Sequence, residues 1–167
     1  MVQSTITSKL SQMKPRTAKE HDAPFVLDID TKSFDYYWTV DQWSAIWQAR
    51  GMCILVIGEP PVGFCVINED EVNGVKAMHI PKLAVREMSR GGGLGRRLLA
   101  SVYTVCQKER IELMAASVPV FNVAGCTWMK KMGFDAVGMR TETINGRDED
   151  VWLFTRGVEC SSLHKRL

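Results

Sequence analysis

The segment Arg90-Gly91-Gly92-Gly93-Leu94-Gly95 follows an apolar stretch, Leu83-Ala84-Val85, and leads into a helical stripe of Leu94, Leu98, Val102 and Val105. A strand, a glycine run and a helix start in that order constrain the fold more than any other part of the chain. Glycine lets backbone N–H groups approach an anion with no Cβ in the way. The first turn of a helix adds N–H groups that have no partner within the helix and carry partial positive charge. Two common phosphate loops fail on spacing. A Walker loop ends in Gly-Lys-Ser/Thr, whereas Gly95 is followed by Arg96-Arg97, and a dinucleotide fingerprint needs a third glycine where Arg96 stands. Three consecutive glycines cost roughly 0.5–1 kcal/mol each against alanine in regular structure, which favours a binding loop over a plain helix entry.

The 167 residues suit one domain, expected over 1–167 with flexible ends at 1–12 and 157–167. Lys and Arg number 21 against 19 Asp and Glu, a net charge of +2, so no global field advertises a nucleic acid or a membrane. Basic residues gather locally instead, with Arg86, Arg90, Arg96 and Arg97 around the glycines. The five cysteines are scattered singly, with no Cys-x-x-Cys and no histidine grouping at metal spacing, so no metal is expected. The apolar contexts of Cys53 and Cys65 suit small buried hydrophobes in a reducing compartment. Met1 to Leu10 lacks the apolar core of a signal peptide and no stretch is apolar enough to span a bilayer, which predicts a cytoplasmic protein.

Periodicity predicts a mixed α/β order. A short strand is expected around Gln12–Arg16, then helices over Glu20–Ser33 and Val40–Arg50, separated by the aromatic run Phe34-Asp35-Tyr36-Tyr37-Trp38. Strands follow over Met52–Gly58 and Gly63–Asn68, divided by Pro60-Pro61, and Asn73-Gly74 is a strong hairpin turn before a strand over Val75–Val85. Pro81 cannot donate to a ladder, which argues for a bulge or a local splay there. Beyond the glycine-loop helix, ending near Arg110, come a strand over Leu113–Val118 and a helix over Asn122–Met132 closed by Gly133. Strands over Phe134–Ile144 and Val151–Thr155 flank a turn at Asn145–Asp148.

That order, with Arg90-x-x-Gly93-x-Gly95, the preceding Leu83-Ala84-Val85, and Asn122 followed by Gly133-Phe134, resembles the GNAT superfamily of N-acetyltransferases from about Lys14 to Thr155. The resemblance implies an α/β acyl-CoA N-acyltransferase fold with helices on both faces of a mixed central sheet. That sheet splays in a V between the strand ending at Val85 and the one ending near Val118. It implies acetyl-CoA as co-substrate. Leu83, Ala84 and Val85 would pair with the pantetheine arm like an added strand, the backbone from Arg90 through Gly91, Gly92, Gly93, Leu94, Gly95 and Arg96 would cradle the pyrophosphate, and Asn122 would contact the pantetheine.

Acetyl transfer to an amine needs a neutral amine, stabilisation of the thioester oxygen and a proton for the departing thiolate. The backbone N–H of Val85 is the candidate donor to that oxygen. The aromatic run and the Asn122-to-Phe134 spacing are similar to those of the ribosomal-protein alanine N-acetyltransferases, but that subgroup's catalytic glutamate falls on Ser117 and its tyrosine on Met129. Other members place a base on the strand before the glycine loop, a position that falls on His79. An imidazole titrates near neutrality and can accept the amine proton, directly or through water; a strand histidine with a satisfied hydrogen bond is the alternative. Glu142 is the reserve base and Tyr37, or Tyr36, the candidate acid.

The near-neutral charge and the aromatic run favour a primary amine of a small molecule or a peptide as acceptor. A protein or peptide N-acetyltransferase and a catalytically silent acyl-CoA-binding module are the rival readings, and a homodimer is left open.

Overall fold

The computed structural model describes residues 9, 10 and 12–160; the expected ends over 1–8 and 161–167 lie outside the described residues. Seven strands hydrogen-bond in the order β1-β2-β3-β4-β5-β7-β6. They are β1 (Arg16–Thr17), β2 (Met52–Ile57), β3 (Gly63–Val72), β4 (Val75–Val85), β5 (Leu113–Pro119), β6 (Asp135–Ile144) and β7 (Arg147–Gly157), interleaved with helices α1 (Ala23–Ser33), α2 (Val40–Gln48), α3 (Leu94–Glu109) and α4 (Val123–Lys131). No described helix is long and apolar enough to cross a membrane.

The described residues form two compact units, one within 1–68 and 81–101, the other within 69–80 and 102–167. In the first, β2 pairs antiparallel with β3 from Met52–Asn68 to Ile57–Gly63. Alternation places Ile54 and Val56 of β2, Phe64 and Val66 of β3 and Ala84 of β4 in one cluster with Val26, Ile29 and Trp43 from α1 and α2. Thr39 and Gln42 form a reciprocal cap that starts α2 after the aromatic run. The first strand is shorter than expected: Lys9, Leu10 and Gln12 are helical, and pairing starts at Arg16. Residues 20–22 form a separate turn of 3-10 helix before α1. Cys65 is fully buried, and burial pushes its thiol up, as suits an inert small hydrophobe.

In the second unit, β4 pairs parallel with β5 over Ala77–Leu113, Met78–Met114 and His79–Ala115. Antiparallel β5–β7 and β6–β7 ladders complete it. Gly133, at φ +85°, ends α4 as expected, its N–H donating to Lys130 O. Two boundaries differ from the periodic reading. β3 continues to Val72, and β7 begins at Arg147, because Asn73-Gly74 and Asn145-Gly146 are both two-residue turns with positive φ at each position. Neither does the chain loosen at Gly157. Val158 is buried and donates its N–H to Glu112 O at 2.8 Å, and the Glu159 N–H donates to the Tyr103 hydroxyl at 3.0 Å.

Candidate functional site

β4 delivers the chain to the glycine run. After Val85 the Arg86 N–H donates to Val62 O at 2.7 Å, and a single 3-10 turn over Glu87–Ser89 bends the chain into Arg90. Gly91 and Gly93 then adopt φ of +79° and +80°, and a Cβ at either would meet no heavy atom within 4 Å. Side chains rarely take this conformation, so glycine is required twice by the backbone alone. The Gly93 carbonyl accepts the Arg97 N–H at 3.1 Å, which makes it the first acceptor of α3. The N–H groups of Leu94, Gly95 and Arg96 therefore form the helix's first turn, where no helical carbonyl reaches them. A 16-residue helix presents its positive end here, beside exposed glycine backbone and the exposed Arg96. Such a cradle fits a diphosphate.

Arg90 serves this loop from behind: its Nε donates to Val85 O at 2.8 Å, and its terminal nitrogen lies 3.4 Å from Ser33 Oγ. The guanidinium fixes the end of β4 against the loop that follows it. The expected donor residue, Val85, is buried, as is Ala84, while Leu83 is half-buried.

In the second unit, the sequence candidates for base come together. His79 is half-buried, and its Nε2 is enclosed without a hydrogen bond among the described residues. Burial lowers its pKa below the usual imidazole value; Arg140 pushes the same way, while Asp70 and Glu142 oppose. The reserve base Glu142 is held by Arg140 at 2.6 Å, and the same guanidinium donates to Ser117 Oγ at 2.8 Å. A neutral imidazole beside a guanidinium-bound carboxylate can take up a proton without creating an isolated positive charge. Met129, at the subgroup's acid position, is buried in the core and carries no proton to give.

Asn122 is the N-cap of α4: its Oδ1 accepts the Gly125 N–H at 2.9 Å, and a Cβ on residue 125 would sit 2.6 Å from the Asn122 amide. One face of this amide is thus committed to the helix. In the first unit, Tyr37 is 44% exposed, whereas Tyr36 packs on Phe34 at 5.0 Å. His21, Asp22 and Glu59 also bring ligand-type atoms within 4.8 Å, but Arg16 already holds both carboxylates, at 2.7 and 2.9 Å, and its charge opposes a metal cation there.

Two charges outside the apolar periodicity, Asp30 on α1 and Lys82 on β4, are buried and paired with each other. Both were visible as anomalies. Asp30 occupies the apolar face of α1 four residues after Val26, and Lys82 alternates with Ile80 and Ala84 on the buried side of β4.

The acetyltransferase (GNAT) family model matches residues 16–134. Comparison with curated protein sequences gave no match. Among solved structures, the chain is similar to the Escherichia coli ribosomal-protein-S18-alanine N-acetyltransferase, with 15% identity, a TM-score of 0.74 and coverage of 93% of this chain and 100% of that one. It is similar to Arabidopsis thaliana NAA60 in complex with acetyl-CoA, with 16% identity, a TM-score of 0.74 and coverage of 88% and 99%. Ard1 from Thermoplasma volcanium gives 19% identity, a TM-score of 0.72 and coverage of 88% and 98%. At these identities the likeness establishes the fold.

Proposed function

The chain belongs to the GNAT family of acetyltransferases, for which acetyl-CoA is the co-substrate, and we propose that it moves the acetyl group to a primary amine of a small molecule or peptide by direct attack of the amine. The observation that carries this reading is the pair of left-handed glycines, Gly91 and Gly93, open to solvent at the N-terminus of α3. That backbone holds the diphosphate of acetyl-CoA, with Gly92, Leu94, Gly95 and Arg96 completing the cradle and Arg90 bracing it. Leu83, Ala84 and Val85 offer main-chain partners to the pantetheine arm, and Asn122, at the N-cap of α4, contacts the same arm.

For the transfer, His79 accepts the proton of the attacking amine, kept neutral by its burial. Val85 N–H donates to the thioester oxygen as charge develops there, and Tyr37 supplies the proton to the departing thiolate. Glu142 takes the base role through water if His79 is removed. Holding the amine against the thioester removes a large part of the barrier before any proton moves.

The likeness to an enzyme named for a ribosomal-protein alanine supports a peptide amine as acceptor. Ser117 and Met129 stand at that subgroup's glutamate and tyrosine positions and supply neither a carboxylate nor a phenol, so the base and the acid are assigned elsewhere. Calorimetric titration of acetyl-CoA tests the cofactor half, with Gly93→Glu as the control that fills the cradle with bulk and negative charge. Saturable binding lost in the variant is the expected result; no binding by the unaltered protein would remove the glycine loop from this role.

A further inference from the structure

Six residues, Phe34 to Thr39, join α1 to α2 without regular structure, and the first unit ties them to one side chain from β4. The Lys82 ammonium sits among three rings of this segment, 4.6 Å from the Trp38 centroid, 5.1 Å from Phe34 and 5.8 Å from Tyr36. It donates to Asp30 Oδ1 and lies 3.3 Å from the Tyr36 carbonyl oxygen. Asp30 is fully buried, and its other oxygen accepts the Trp38 N–H at 2.9 Å and the Trp43 indole N–H at 2.8 Å.

This is an aromatic cage around a cation, closed by a carboxylate. Such cages elsewhere in protein chemistry receive an ammonium ligand; here the ammonium is tethered to β4, one residue before Leu83. A buried ion pair is a poor means of adding stability, because desolvating both charges offsets most of their attraction. What it adds is definition: an apolar side chain at 82 could fill the volume, but it could not bind the Tyr36 carbonyl or fix the carboxylate that holds Trp38 and Trp43. Of the segment's aromatic residues, Tyr37 is not one of the caging rings and is left 44% exposed.

We propose that Lys82 is a positioning residue: a tethered cation that, through Asp30, Phe34, Tyr36 and Trp38, holds the Phe34–Thr39 segment in one conformation and so sets the place of Tyr37. For catalysis this rests on the transferase reading above; the ordering of the segment does not.

The test uses Lys82→Ala, which leaves space for three methylenes and the ammonium, and Lys82→Met, which fills the volume without charge. Chymotrypsin cleaves after aromatic residues, so limited digestion reads the order of this segment directly. Cleavage between residues 34 and 39 is expected at least tenfold faster in both variants, with n-propylammonium at tens of millimolar slowing it in Lys82→Ala and 1-propanol having no effect. Rescue by the alcohol equal to that by the ammonium, or cleavage at the unaltered rate in Lys82→Met, would overturn the proposal. If Lys82→Ala does not fold, Lys82→Met decides alone.

Kinetics supply the second reading. With acetyl-CoA affinity within twofold of the unaltered protein, kcat/KM for the amine is expected to fall at least tenfold in Lys82→Met. The fall should be no larger in Lys82→Met combined with Tyr37→Phe than in the worse single variant. Multiplying effects would show that Lys82 does not act through Tyr37. A protein that transfers to no amine would end the transferase reading while leaving the digestion result to decide the cage.

Discussion

Replacing Gly93 with alanine adds one methyl group to a backbone at φ +80°, and Gly74→Ala does the same at φ +79°, in the turn between β3 and β4; at neither position does the new Cβ meet a heavy atom within 4 Å. The conformational penalty is therefore nearly the same, roughly 1–2 kcal/mol for an L-residue in the left-handed region. For a chain of this size that lowers Tm by roughly 2–8 °C. Gly93 also precedes the first turn of α3, where alanine caps poorly, so its Tm falls somewhat further. The two variants part company in ligand affinity. If the empty space beside Gly93 is where a diphosphate oxygen sits, the methyl displaces it and costs a charge-assisted hydrogen bond, roughly 1.5–3 kcal/mol. That corresponds to about a 10- to 150-fold rise in the acetyl-CoA Kd. Thermal unfolding and calorimetry on both variants supply the four numbers needed. Equal affinity for acetyl-CoA in Gly93→Ala and Gly74→Ala, at similar stability loss, would refute the assignment of that space to phosphate.

His79→Ala is expected to lower turnover several-fold or more without weakening acetyl-CoA binding. Because burial depresses the His79 pKa below the usual imidazole value, the acid limb of kcat should fall below about pH 6.5 in the unaltered protein and vanish in the variant. Turnover unchanged across pH would remove His79 from the mechanism. Arg16 holds the buried Asp22 carboxyl down at about 2, from 3.8. Since the folded value is the lower one, this contribution is fully present above about pH 4 and is lost as pH falls through about 2. It is worth about 2 kcal/mol; acid titration of Arg16→Met should show that loss already at pH 7. Asn122→Ala removes the α4 cap and should cost about 1 kcal/mol in thermal unfolding. Asn122→Asp keeps the cap and should keep the stability, while acetyl-CoA binding in that variant is expected to weaken through loss of the amide donor and gain of a negative charge.

The glycine run was legible because its chemistry is local: two positive φ angles and a helix start lie within six consecutive residues. Strand edges were less so. Glu69-Asp70-Glu71 and Arg147–Asp150 are paired in ladders, but both lie in the largely exposed arms of hairpins, where no buried face imposes an alternating pattern. The tail misled for the opposite reason, since Val158 is buried and its N–H is bound by the Glu112 carbonyl, far away in sequence. Lys82 and Asp30 are 52 residues apart, and a charge in an apolar pattern reads as an irregularity until its partner is known. Similarly, His79 could be placed on β4 by counting from Arg90, but two of the charges that bear on its protonation, Arg140 disfavouring it and Glu142 favouring it, stand on β6, which no local pattern connects to β4.

Release of CoA thiol from acetyl-CoA, followed across a panel of small primary amines and peptides with free N-termini, tests the central claim most directly. Amine-dependent release that saturates, with the acetyl group found on the acceptor nitrogen and the rate reduced in His79→Ala, is the predicted result. Tight acetyl-CoA binding with no thiol released to any amine would contradict it and leave a protein that keeps the cofactor loop without the transfer.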